Sequence, residues 1–149
     1  FEIVYSEMTG LSKKQVLDLY PHLIGLFPET FVDSETVLSN ITGDVELMVL
    51  WSGGRDTARK FRQLIGKANG KESKDVGTIR GRFALNLFQN AIHGSDSELD
   101  ALKEIRISRP EIIDMLLMDD KYGERFYSFL GRMKEVEGNA RIEREFKVA

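Results

Sequence analysis

A mixed α/β domain is what this sequence predicts, on three observations. Phe1 to Thr9 sets Phe1, Ile3 and Tyr5 in alternation with Glu2, Val4 and Ser6, the period-two pattern of a half-buried strand. Val45 to Trp51, VELMVLW, is short and nearly all apolar, and it is bounded by Gly43 and the Gly53-Gly54 pair, which reads as a second strand. Between them, Ser12 with Gln15 three residues on makes a capping box, and Val16, Leu17, Leu19 and Tyr20 follow at helical spacing.

Taken in order, Gly10 breaks the first strand and Pro21 ends or bends the helix that follows, because the residue before proline is pushed out of the helical region. Pro28 can open a second helix, with Phe31, Val32, Val37, Leu38 and Ile41 as its apolar face and Gly43 as its stop. After the Val45–Trp51 strand, Arg55 to Ile65 reads as a helix, with Asp56 near its start, Ala58, Phe61, Leu64 and Ile65 inward, and Gly66 at its end. Lys67 to Val76 has no apolar period and reads as an exposed loop carrying Lys67, Lys71 and Lys74. Gly77 to Leu87 is ambiguous, with a short helix as one reading, and Asn90 to His93 reads as a brief strand. Ser95 with Glu98 forms a second capping box, opening a helix through Leu99, Leu102 and Ile105. Arg109-Pro110 opens another, bearing Ile112, Ile113, Leu116 and Leu117. A last helix over Lys121–Val136 carries the stripe Tyr122, Phe126, Phe129, Leu130 and Met133, and the charge-alternating tail RIEREFKVA is expected to fray.

Composition narrows the function. At 149 residues, 42% hydrophobic and 30% charged, the chain is one globular domain or one domain with an extension. No apolar run approaches the roughly 20 residues of a membrane span, so no membrane partner is expected. The absence of cysteine excludes disulfides and thiolate metal sites and suits a reducing, cytoplasmic setting. A net charge of -3 argues against nucleic acid as a general partner, so any anion site must be local. Phe1 stands without Met or a signal pattern, and a piece of a longer polypeptide is expected.

The chemistry gathers between Gly77 and Glu104. His93 alone would read as an ordinary core or surface residue. Its neighbours change that. Gly94-Ser95-Asp96-Ser97 supplies a helix start, where free amides and the helix dipole favour anions. Glu104, about two turns along, is placed to hold one imidazole nitrogen and leave the other as a nucleophile. Arg62 and Arg80 flank the lysine loop, and guanidinium forks suit phosphate oxygens. No Walker loop, double-glycine dinucleotide fingerprint or His-x-x-x-His metal spacing is present, and no protein-held metal is expected.

Val-Gly-Thr-Ile-Arg-Gly at Val76–Gly81, Asn-Ala-Ile-His-Gly-Ser-Asp-Ser at Asn90–Ser97, and Glu104-Ile105 together resemble the signature of the nucleoside diphosphate kinase family. The resemblance covers Phe1 to Ile107, and the segments Leu11–Tyr20, Gly43–Trp51 and Arg62–Gly66 share it. It implies a ferredoxin-like α/β sandwich with a four-stranded antiparallel sheet over 1–107, followed by a helical extension over 108–149. It also implies ping-pong transfer of a γ-phosphate from a nucleoside triphosphate to a diphosphate through a phosphohistidine, with Mg²⁺ on the phosphates. By position, His93 would be the nucleophile, Glu104 would orient it and Ser95 would support Glu104. Arg62 and Arg80 would hold the phosphates, Asn90 and Tyr20 would serve the ribose hydroxyl or the transferring phosphate, and Leu87 would pack on the base, with Phe27 or Phe31 as its aromatic partner.

Departures from the family pattern define a rival. The family's first strand, ending in Lys-Pro-Asp, and its helix have no counterpart in this chain, which starts at the family's second strand. Ala68 stands for a nucleotide-contacting threonine, Gly81-Arg82-Phe83 for Gly-Asp-Phe, Phe88-Gln89 for Gly-Arg, and Asp44 for a proline. The rival is a structural or nucleotide-binding module of the kind that resembles axonemal components of cilia and flagella. There the C-terminal helices either pack on their own domain or dock a protein partner.

Overall fold

The computed structural model describes residues 1–21, 43–53, 55–67, 76–85 and 89–147, with side chains from 140 onward excepted. The chain divides into two units, Phe1–Ser97 and Glu98–Ala149.

In the first unit, β1 (Glu2–Gly10) and β2 (Asp44–Trp51) pair antiparallel. This is the sheet found among the described residues, two strands rather than the four the resemblance implies. The register runs from Glu2 opposite Trp51 to Gly10 opposite Asp44, with a shift between Ile3 and Tyr5. That extra residue corrects the expected inward face. A one-residue slip moves every later side chain to the other face of a period-two strand. Tyr5, Glu7 and Thr9 therefore turn inward opposite Val49, Leu47 and Val45, while Phe1 and Ile3 are exposed.

The helix α1 (Lys13–Leu19) starts as expected: the Gln15 amide donates to Ser12 Oγ at 3.3 Å, and the Ser12 amide donates to Gln15 Oε1 at 2.9 Å. Tyr20 closes it ahead of Pro21, its amide reaching Val16 O at 2.9 Å, and Val16 is wholly buried. The Pro28 helix and its Phe31–Ile41 face lie outside the described residues, as do Phe27, most of the lysine loop with Ala68, and Leu87 with Phe88.

The helix α2 (Thr57–Ile65) follows β2, with Asp56 at its N-cap in the left-handed region (φ 69°). Its inward arc is narrower than expected. Ile65 is fully buried and Phe61 half-buried one turn before it, but Leu64 is exposed because it points about 100° away from Ile65. Gly66 ends α2 at φ 86°, and a Cβ there would lie 2.4 Å from Thr78 Oγ1, so both conformation and space require glycine. Thr78 caps the short α3 (Ile79–Phe83) by accepting the Gly81 amide at 3.1 Å.

Asn90–His93 is not the strand expected from its apolar character. Ala91 adopts φ 71°, and the Ile92 carbonyl is taken by the Arg80 side chain rather than by a neighbouring strand.

The second unit is helical: α4 (Glu98–Ser108), α5 (Glu111–Met118) and α6 (Gly123–Lys147). Its core is Leu102, Ile112, Leu116 and Phe126, with Phe129 stacked on Phe126 at 5.7 Å. The helix α4 begins at Glu98, two residues later than a cap at Ser95 would start it. Pro110 sits at the N-cap of α5. The turn into α6 is built by Asp119, whose carboxylate accepts the Lys121 and Tyr122 amides at 2.8 and 3.0 Å. The tail expected to fray continues α6 as helix to Lys147. Among the described residues, no helix is long and apolar enough to cross a membrane.

Candidate active site

Two close packings bring the His93 turn onto α2. Gly94 is buried against the helix, and a Cβ there would stand 2.8 Å from Ile65 Cδ1 and 3.2 and 3.3 Å from the Phe61 ring. Only glycine lets this backbone lie so near the helix. Arg62, on the same helix, reaches across: its Nη1 donates to Gly94 O at 3.1 Å, and its Nη2 pairs with Asp96 Oδ1 at 3.0 Å.

His93 is exposed at the head of this turn. The ring of Tyr20 stands edge-on to its imidazole, with centroids 5.1 Å apart and planes at 83°. The end of α1 thus supplies one wall of the site and α2 another.

Arg80 lies beneath. The residue is only 3% exposed. Nε and Nη2 donate to Ile92 O at 3.1 and 2.7 Å, and Nη1 donates to Gly66 O at 3.4 Å. Burial, and then the Arg62 charge, lower its pKa from the ordinary arginine value, whereas Tyr20 and Asp96 act in the opposite direction. An arginine stays protonated at neutral pH even so, and the two guanidinium groups hold the carbonyls of Ile92 and Gly94, the residues on either side of His93.

The structure therefore brings Tyr20, Arg62, Arg80 and His93 together, with Asn90 and Ser95 half-buried in the same segment. Glu104 belongs to the second unit, where it is half-buried on α4 and its carbonyl accepts the Ser108 hydroxyl at 2.5 Å. Leu87 lies outside the described residues. Sequence reasoning missed the work of Asp96, Gly94 and Ala91. All three stood in the motif, and the small residues crowded around one histidine were the available signal for a backbone pressed against a helix.

No three His, Asp or Glu side chains converge as a metal cage among the described residues.

Comparison with known proteins now bears on the site. The family model for nucleoside diphosphate kinase matches residues 1–111. A nucleoside diphosphate kinase of Wolbachia sp. subsp. Drosophila simulans is 38% identical over 108 residues, covering 70% of this chain and 70% of its own length. One from Francisella tularensis subsp. novicida is 38% identical over 104 residues, 70% of this chain and 69% of its own. Among solved structures, an orthorhombic crystal form of the Aquifex aeolicus nucleoside diphosphate kinase superposes with a TM-score of 0.58 at 26% identity, covering 72% of this chain and 73% of that one. With these matches and the histidine turn it carries, the chain belongs to the nucleoside diphosphate kinase family, in a mixed α/β fold similar to the ferredoxin-like one of its relatives and followed by C-terminal helices.

Proposed function

We propose that this domain, taken as Phe1 to Ile107 with the helices beyond as an extension, moves a phosphoryl group between nucleotides through His93. The observation that carries the reading is an exposed histidine against the Tyr20 ring, with a guanidinium group on the backbone carbonyl of each neighbouring residue, in a chain of this family. An imidazole nitrogen of His93 attacks the γ-phosphorus of a nucleoside triphosphate. The bond to the β-γ bridging oxygen breaks, and its electron pair leaves with the diphosphate. A second nucleoside diphosphate then takes the phosphoryl group from His93 by the reverse displacement. The orienting role of Glu104 and the supporting role of Ser95 rest on the sequence resemblance alone.

Arg62 meets the phosphates, exchanging its exposed Asp96 partner for phosphate oxygens. Asn90 and Tyr20 serve the ribose hydroxyl or the moving phosphate, and Leu87 packs on the base. A magnesium ion bound on the nucleotide phosphates would supply charge neutralisation for the departing diphosphate. The test is conversion of GDP to GTP at the expense of ATP: transfer that disappears in His93→Ala supports the reading, and its absence from the intact protein removes it.

The second reading is a nucleotide-binding or scaffolding module without turnover. The observation favouring it is that Arg80 spends three N–H groups on backbone carbonyls. The axonemal setting and the helix-docked protein partners that accompany this reading rest on sequence resemblance alone.

A further inference from the structure

We infer that α6 is a dimerisation helix, pairing in parallel with the α6 of a second copy of this chain. Apolar residues recur along it at alternating steps of three and four: Phe126, Phe129, Met133, Val136 and then Ala140. That is the seam of a coiled coil, with Phe126, Met133 and Ala140 at position a and Phe129 and Val136 at d. The first part of the seam is used within the unit, where Phe126 is buried and Phe129 stacks on it. The next part is uncovered. Every residue from Lys134 to Asn139 is exposed, and Val136 stands 47% open although it continues the stripe.

Helix length explains the overhang. At about 1.5 Å per residue, the 25 residues of α6 span about 37 Å, against about 16 Å for α4 and about 12 Å for α5. Helices hold in water chiefly by packing an apolar face. Gly131 and Gly138, both poor helix formers, add to that need. Both fall at f, facing away from the seam, and a Cβ at either would meet nothing within 4 Å. The helix nevertheless runs on to Lys147, so its seam calls for a partner.

Charge identifies the partner. Arg132 falls at g and Glu137 at e, five residues further on. In a parallel, in-register pair, g of one helix faces the e five residues on in the other. Two copies therefore set Arg132 against Glu137 on both sides of the seam, as twofold symmetry requires. An antiparallel pair puts g beside g and e beside e, and these two charges would not meet. Arg132 donates to Ser128 Oγ at 3.2 Å, an exposed contact that it can exchange for a carboxylate.

Pairing through α6 does not depend on the phosphotransfer reading. The chain has no cysteine, so one thiol added to the full chain can bridge only to its copy. Val136→Cys places that thiol on the seam, and Glu135→Cys points it outward. Parallel pairing predicts a disulfide-linked dimer from Val136→Cys in a glutathione buffer, and about tenfold less from Glu135→Cys. Adding Arg132→Glu or Glu137→Arg to Val136→Cys turns two attractions into repulsions and lowers the yield at least about fivefold. Both reversals together restore it to within about threefold. Equal yields from the two cysteine variants, or a yield indifferent to charge reversal, overturn the inference.

The unaltered protein covers variants that fail to fold. Methyl-labelled and unlabelled chains are mixed equally at about 100 μM, a concentration at which even a weak dimer is populated. Pairing predicts that the strongest contacts between copies join Met133 to Met133 and Val136 to Val136. Contacts that join Met133 to Val136 most strongly, the antiparallel order, overturn it. So does an α6 that meets no second copy, whether it stays bare or takes a different protein.

Discussion

The ring of Tyr20 stands edge to face against the imidazole of His93, with centroids 5.1 Å apart. The relation joins two parts of the chain that look independent in sequence. Tyr20 is where it is because Pro21 stops α1, and its own amide closes that helix on Val16 O. The helix end thereby becomes a wall of the site.

Two Tyr20 variants separate ring from hydroxyl. Tyr20→Phe keeps the edge-on ring and loses at most one hydrogen bond, worth about 0.5–1.5 kcal/mol, or roughly two- to tenfold in transfer rate. Tyr20→Ala also loses the aromatic contact, a further cost of about 0.5–1.5 kcal/mol. Steady-state GDP phosphorylation by both variants checks the order.

Gly94→Ala should destabilise the fold by about 1–3 kcal/mol, because its methyl would enter space held by Ile65 and Phe61. The nearest clash is with Ile65 Cδ1, at 2.8 Å from the added carbon. Valine lacks that atom. The double variant with Ile65→Val is therefore expected to cost less than the sum of the single changes, which a double-mutant cycle in urea measures.

The Arg62–Asp96 pair contributes little to stability, whereas on the proposed reading Arg62 itself contributes to nucleotide binding once it leaves Asp96. Its side chains are 37% and 77% exposed, so Asp96→Asn should cost no more than about 1 kcal/mol in unfolding free energy. Arg62→Gln should weaken ADP binding by about 1.5–3 kcal/mol, the worth of a hydrogen bond to a charged group. Calorimetric titration reads the second effect and thermal unfolding the first.

Ala91 offers a test of backbone strain. Glycine takes φ 71° without penalty, so Ala91→Gly should leave unfolding free energy within about 1 kcal/mol of the original. Ala91→Val should destabilise by more, since a β-branched residue is poorly tolerated at positive φ. The contrast between the two is read by chemical denaturation.

Much of this architecture was legible in the chain, and the failures have physical causes. The capping box at Ser12–Gln15, the stop at Gly66 and the start at Pro110 are local chemistry, and each falls where its residues place it. The β1 face was misread because a bulge between Ile3 and Tyr5 leaves no mark in the alternation of residue types. Asn90–His93 was misread as a strand because the Ile92 carbonyl is taken by a buried arginine fork, a tertiary partner twelve residues away, rather than by a strand. In the site, residue identity came from the motif; the use made of each came from packing. Arg80 is the clearest case, since nothing in Thr-Ile-Arg-Gly says which way a guanidinium points.

The most direct test of the central claim is incubation of the protein with γ-labelled ATP, followed by acid and alkali treatment of the labelled chain. The account predicts a label on His93 that acid removes and alkali leaves, that passes to added GDP, and that is absent from His93→Ala. Failure of the intact protein to take up label, or an equal label on His93→Ala, would contradict it.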